Sequence, residues 1–312
     1  MEGKQADHGT ASFVPVILVF GLLLAGMVLS CCCVGKETKN ATSGQEKVAA
    51  VTILPQRDLV REIAGENWTV MVVVPPGADP HTHEPTATEI ARLGRADVYF
   101  RLGPGLLPFE DVLVARLVAQ NPGMLIVDTS AGIPLIHETG EETGGGAGEH
   151  GADPHVWLSP SGLRTMAENV FEGLSGRDPT HREDYRARTD AYLRRVDACE
   201  ESIRKRIAGL EGRPFLVSHP AWGYFAREFG LSQVSINGEG REPTARELFQ
   251  LVSYAREEGI RVVLTEPEFS ARESEVIARE VNASVVVIDP LAPDVLLTLE
   301  RMAKAIADSY VA

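Results

Sequence analysis

Five residues occur twice in this chain, as Gly77-Ala78-Asp79-Pro80-His81 and as Gly151-Ala152-Asp153-Pro154-His155, and each copy ends on an imidazole. Proline fixes its own φ and biases the residue before it towards extended backbone, so Asp-Pro-His is a stiff turn that presents one side chain in a set direction. A third histidine, His219, follows the apolar run Phe215-Leu216-Val217 and precedes Pro220. Imidazole is the commonest metal ligand among side chains, and three of them leave one tetrahedral position for a carboxylate or a water. These residues point to the holding of one transition-metal ion.

The elements that must position them can be read from the alternation of the chain. Apolar runs at Val48–Leu54, Thr69–Val74, Asp97–Leu102 and Met124–Asp128 predict strands, with helices predicted over 56–65, 86–94 and 106–119 between them. Helices over 161–174 and 182–210 follow, and the alternation then resumes. Strands are expected at 215–217, 233–236, 261–264 and 284–288, and helices at 221–229, 243–258, 271–281 and 295–309. Short β-rich runs alternating with helical patterns give βαβ units and parallel sheets. The expected fold class is therefore α/β, with two similar lobes. Positions 185, 189, 192, 196, 199, 203, 207 and 210 are apolar or small and advance by threes and fours, one stripe at helical period. That helix, about 43 Å long at 1.5 Å per residue, is read as a rigid spine joining the lobes.

Ligands of open α/β sheets collect at the carboxyl ends of strands. His219 falls there, as do Asp289 directly after Val285–Ile288 and Glu266 soon after Val262–Leu264. Two histidines of the first lobe with a histidine and a carboxylate of the second would close a sphere of three nitrogens and one oxygen in the cleft. His83 is the rival of His81, since the two share a face if the turn is extended. Trp157 and Trp222 are expected to wall the cleft, and Glu266 to line it.

Composition sets limits. The chain has 312 residues, enough for two domains of ordinary size, and its 44% hydrophobic and 24% charged residues are globular values. A net charge of −14 argues against a nucleic-acid partner, which needs a basic face. The four cysteines, Cys31, Cys32, Cys33 and Cys199, form no CxxC pair, so neither a zinc ribbon nor a thioredoxin-like redox site is available. Cys199 lies in the apolar stripe and is read as a buried, inert thiol.

Residues 13–30 carry no charge and as a helix would reach about 27 Å, near the thickness of a bilayer core. The run ends on Leu29-Ser30-Cys31-Cys32, which resembles a lipoprotein cleavage box. An export signal or an N-terminal anchor is expected, with the globular part outside the cytoplasmic membrane. Residues 34–47 have the composition of a flexible tether. Between Thr129 and Ala152 lie seven glycines, four glutamates and two histidines, a mobile loop leading into the second Asp-Pro-His. The expected division is 1–33 signal or anchor, 34–47 tether, 48–180 first lobe with the loop 129–152, 181–210 linking helix, and 211–312 second lobe.

Six motifs now stand in order: Gly77–Thr86, Arg95-Ala96-Asp97-Val98, Asp153–Pro160, Ser218–Phe225, Thr265–Ser270 and Ile288–Leu291. Together they resemble the signatures of the zinc/manganese substrate-binding proteins of ABC importers, from about Val48 to the C-terminus. The resemblance implies two lobes bridged by one long helix, tethering at the outer face of the membrane, and delivery of a bound divalent metal to a permease. Family ligands fall on His81, His155, His219 and Asp289. Zn2+ is the expected ion, with Mn2+ as the alternative, and the expected partners are the ABC permease and, through the N-terminal segment, the membrane. The protein is expected to be a monomer and not an enzyme. The glycine-rich segment stands where many zinc members carry a histidine-rich loop, and departs from them in having only His137 and His150 beside its glutamates.

Two other classes compete. Three histidines with an open fourth position also describe a hydrolytic zinc centre, but that needs a general base and no HExxH or paired-carboxylate motif supplies one. A surface adhesin with a purely structural metal would bind its ion so that removal unfolds the protein.

Overall fold

Four-residue runs such as Val98–Arg101 and Pro214–Val217 are buried along their whole length, the pattern of strands covered on both faces. The computed structural model describes residues 47–137, 151–237, 243–267 and 271–310. In the first lobe β1 (Lys47–Val51), β2 (Trp68–Val72), β3 (Val98–Arg101) and β4 (Leu125–Asp128) form a parallel sheet in the order β2-β1-β3-β4. The second lobe repeats the arrangement with β5 (Pro214–Val217), β6 (Ser232–Ser235), β7 (Val262–Thr265) and β8 (Ser284–Val287), in the order β6-β5-β7-β8. The inner strands β3, β5 and β7 are wholly buried, whereas the edge strands keep exposed positions.

Helices cover both faces of each sheet. On the outer face of the first sheet lie α2 (Ala87–Leu93) and α3 (Pro108–Gln120), which pack Leu93, Leu113 and Leu117 on Ala50 and Tyr99. On that of the second lie α7 (Ala245–Glu257) and α8 (Arg272–Val281), which pack Val252, Ala255, Ile277 and Val281 on Leu216 and Val263. The inner faces share one core with α1 (Leu54–Ala64), α4 (Pro160–Arg177), α5 (Arg182–Arg206), α6 (Gly223–Phe229) and α9 (Val295–Tyr310). Both lobes thus lie in one compact unit, Gln45–Ala312.

The helix α5 is the predicted spine, and its buried residues are Tyr185, Thr189, Tyr192, Val196, Cys199 and Ile203, the expected stripe. It packs against α1 and α4 on the side of the first lobe and against α9 of the second. It ends four residues short of the expected Leu210, because Gly209 takes a positive φ of 81° that stops the helix. Cys199 is buried, its thiol pushed up to about 12 by burial, and its Sγ meets the Leu296 carbonyl at 3.5 Å. Each large side chain of the stripe contributes about 1.5–3 kcal/mol when removed from water, so the spine is held by packing rather than by its own propensity.

β1 starts at Lys47, the last residue assigned to the tether. The hydrophobic run 13–30, Cys31 to Cys33, the rest of the tether and residues 138–150 of the loop lie outside the described residues. Among the described residues no helix is long and apolar enough to cross a membrane. The described ends of that loop are joined by an antiparallel bridge between His137 and Ala152.

Candidate metal centre

The three histidines come from three different loops and meet in one place. His81 lies between β2 and α2, His155 just before α4, and His219 two residues beyond β5. Their ring centroids are 5.3 Å (His81 to His155), 5.2 Å (His81 to His219) and 5.1 Å (His155 to His219) apart, a nearly equilateral triangle. One ring nitrogen of each lies within 4.8 Å of the others, which is the geometry a single ion can satisfy. The space among them is about 20 Å3, lined also by Asp79, Leu107, Trp157, Glu266 and Leu291.

Local chemistry explains why each turn holds its ring. In both Gly-Ala-Asp-Pro-His copies the aspartate folds back onto the histidine two residues on. Asp79 accepts the His81 amide at 2.8 Å, and Asp153 accepts the His155 amide at 2.9 Å. Such Asx turns fix the backbone beside the proline. The same Asp153 oxygen also takes the His155 Nδ1 proton at 2.8 Å, which leaves Nε2 as the nitrogen with a lone pair for an ion. Beyond His155 the chain enters α4 so tightly that a Cβ at Gly162 would lie 1.9 Å from the Val156 carbonyl oxygen, so only glycine fits.

A model of the family described as "Zinc-uptake complex component A periplasmic" matches residues 50–309, the whole of both lobes. The chain belongs to this ZnuA family. It is 28% identical over 280 residues to the high-affinity zinc uptake system protein ZnuA of Bacillus subtilis, covering 86% of this chain and 87% of that one. A crystal structure of a ZnuA superposes with a TM-score of 0.76 at 35% identity, covering 84% of this chain and 98% of the other. A zinc-bound ZnuA from which residues 138–173 (its own numbering) had been deleted gives the same TM-score at 36% identity, with 85% and 98% covered.

Electrostatics distinguish the three imidazoles of this ZnuA-family site. Burial of its ring, then the neighbouring His155 and His219, hold His81 down to about 4, although the residue keeps an exposed edge. Burial also works against protonation of His219, but the Glu266 carboxylate, 3.4 Å from its Nδ1, outweighs that and raises it.

The structure does not bring Asp289 into the triangle. It follows β8, the edge strand, while His219 follows β5, two strands away in the order β5-β7-β8. At about 4.8 Å per strand that separates their backbones by roughly 10 Å. Asp289 instead accepts the Leu291 amide at 2.7 Å and lines a neighbouring pocket with Arg57, Val74 and Pro75. Its sequence neighbours Pro290 and Leu291 do line the histidine pocket. Glu266, directly after β7, which lies beside β5, is the buried carboxylate in that pocket.

His83 is half-buried, with its ring edge on Phe109 at 5.6 Å and outside the triangle. Trp157 walls the site as expected, but Trp222 does not. It is buried in the shared core with its ring on Phe225. Sequence reasoning missed Tyr224, whose hydroxyl donates to the Asp153 carbonyl at 2.7 Å and accepts the Ile136 amide at 3.2 Å, so α6 of the second lobe clamps the turn that carries His155. It also missed Gly223, where a Cβ would come within 2.8 Å of Asp153 Oδ2. The aspartate shared by both repeated pentapeptides was the available signal for the Asx turns; no local signal marked Tyr224.

Proposed function

We infer that this protein captures a divalent transition metal outside the cytoplasmic membrane, Zn2+ in first place and Mn2+ as the alternative, and hands it to an ABC permease. The observation that carries this reading is the size of the space enclosed by the triangle. At about 20 Å3 it has room for an ion or one water, whereas pockets for organic ligands run to several hundred Å3. The name of the Bacillus subtilis relative and the zinc in the deletion structure support the same cargo.

In this reading His81, His155 and His219 supply nitrogen, and Asp289 is the proposed fourth ligand, releasing the Leu291 amide to turn towards the ion. His81, the exposed member, is the side from which metal enters and leaves. The protein works as a monomer with 1–33 as a signal or lipid or helix anchor and 34–46 as tether, so that lobes of about residues 48–180 and 211–312, joined through 181–210, stay near the permease. Native mass spectrometry with metal analysis tests the cargo: protein stripped by chelator and reloaded should carry one Zn2+ per chain, and His155→Ala should lose its Zn2+ to about tenfold less competing chelator than wild type. Equal retention of Zn2+ by variant and wild type would place the cargo elsewhere.

A further inference from the structure

Glu266 lies at the carboxyl end of β7 and is only 5% exposed, yet one of its oxygens, Oε1, has no hydrogen-bond partner. Its other oxygen, Oε2, is 3.4 Å from His219 Nδ1. A buried carboxylate with an orphaned oxygen costs a protein stability, and burying the charge costs more. Such a group needs a reason to be where it is. Its position gives one. In the order β6-β5-β7-β8 the sheet's connections diverge between β5 and β7, the place where open α/β sheets put their ligands, and His219 and Glu266 follow these two strands.

The first lobe shows what a carboxylate does in that relation. Asp153 takes the Nδ1 proton of His155 at 2.8 Å and so turns Nε2 towards the space shared by the three rings. We propose that Glu266 is the corresponding positioning residue of the second lobe: its Oε2 receives the Nδ1 proton of His219, so that His219 binds the ion through Nε2. The nearer oxygen of Glu266, Oε2, is engaged at His219 Nδ1, so Glu266 acts through His219 and not as a ligand. Each lobe then contributes a histidine and the carboxylate behind it. Their two negative charges face the two positive charges of the ion through the rings, and each hydrogen bond makes its imidazole a stronger donor. The 3.4 Å separation lies at the long end of hydrogen bonding, against 2.8 Å for Asp153, and closes to hydrogen-bond length as the ion draws on His219.

This inference rests on the reading of the three histidines as ligands, and the test separates the two. Zn2+ affinity is measured by competition with a chromogenic chelator for wild type, Glu266→Ala, Glu266→Gln and His219→Ala, with thermal midpoints of the metal-free proteins. The protonated nitrogen of His219 is read by imidazole 15N correlation in the Zn2+-loaded protein. Glu266→Ala should weaken Zn2+ by about tenfold or more. Glu266→Gln, whose amide oxygen can accept the same proton, should recover at least half of that loss on a logarithmic scale. The metal-free midpoint of Glu266→Ala should equal or exceed that of wild type, since an unpartnered buried oxygen has been removed. His219 should carry its proton on Nδ1 in wild type. Unchanged affinity in Glu266→Ala beside a large loss in His219→Ala overturns the role of Glu266 while leaving the site intact; unchanged affinity in both overturns the site. A lowered metal-free midpoint that accounts for the affinity loss, absence of rescue by glutamine, or ligation through Nδ1 would each refute the positioning role.

Discussion

Trp157 donates its indole Nε1 proton to the carbonyl oxygen of Pro290, 2.8 Å away across the cleft. The donor belongs to the turn that carries His155, its ring tilted 53° to that imidazole with centroids 5.3 Å apart; the acceptor follows Asp289 in the second lobe. One bond therefore links the turn that carries His155 to the turn that carries Asp289. Trp157→Phe removes buried ring volume as well as the N–H donor and leaves the buried Pro290 carbonyl unpaired, which should cost at least about 1–3 kcal/mol of stability and a few-fold in Zn2+ affinity. Urea unfolding and chelator competition measure the two, and a variant indistinguishable from wild type in both would show that the contact holds nothing in place.

Replacement of His81, His155 or His219 by alanine should each weaken Zn2+ by more than the tenfold or so expected of Glu266→Ala, because a ligand and not a supporting group is lost. His83→Ala should change affinity by less than about threefold, its ring being packed on Phe109 away from the triangle. Isothermal titration in the presence of a competing chelator decides between the two neighbours, and a larger effect for His83 would mean that the first turn presents the other imidazole.

A second carboxylate hub governs the response to acid. Asp178, at the end of α4, accepts the hydroxyl of Tyr185 at 2.6 Å and the Nδ1 of His181 at 2.8 Å, and pairs with Lys47 of β1. Burial alone would raise its pKa, but the bonds from Lys47, Tyr185 and His181 outweigh it and the net shift is below the ordinary 3.8. A carboxyl held down in the folded state stabilises above its unfolded pKa, and that stabilisation is lost as pH falls through the folded value. Asp178→Asn should therefore be less stable than wild type at pH 7, with the gap narrowing as pH drops below about 4. Urea midpoints across pH 3–7 give the comparison; a gap independent of pH would assign the loss to shape and not charge.

What could be read from the residues alone was whatever a local pattern encodes. The stripe from Tyr185 to Ile203 follows from a period of three and four, and the rigid Asp-Pro-His turns follow from proline and from their repetition. The resemblance then implied ligands at His81, His155, His219 and Asp289. Strand order is not local. Nothing between Val262 and Val287 says that β7 lies beside β5 and β8 beyond it, yet that order puts Glu266 against His219 and Asp289 two strands off. Trp222 failed for a similar reason. An aromatic beside a ligand-bearing turn fits a cleft wall or a core equally well, and only the packing of Trp222 on Phe225 in the shared core shows which.

The spine makes large lobe motion expensive. Because α5 packs on α1, α4 and α9 at once, separating or rotating the lobes would expose part of the shared core. Zn2+ loading should therefore raise the thermal midpoint, by the mass-action stabilisation any native-state ligand gives, while the radius of gyration stays within a few tenths of an ångström. Small-angle scattering on metal-free and loaded protein checks this, and a contraction of an ångström or more would mean that the shared core parts in the metal-free state.

The choice between metals turns on His219. Affinity at a shared site rises from Mn2+ towards Zn2+ along the Irving–Williams order, and imidazole nitrogen widens the difference whereas carboxylate oxygen suits Mn2+. Three imidazoles in a triangle with sides of 5.1 to 5.3 Å between ring centres make a nitrogen-rich sphere, and one carboxylate from Asp289 leaves it so. The buried carboxylates in contact with these rings, Asp153 and Glu266, sit behind the nitrogens rather than among them. Zn2+ should therefore bind more tightly than Mn2+, which stands at the weak end of that series. His219→Glu exchanges one nitrogen for oxygen and should narrow the gap by weakening Zn2+ more than Mn2+. A competition titration of both proteins with the two ions decides it. Equal affinities in wild type, or a preference for Mn2+, would mean that the oxygen of Asp289 or the enforced geometry outweighs the count of nitrogens; a gap that His219→Glu leaves unchanged would mean that His219 does not touch the ion.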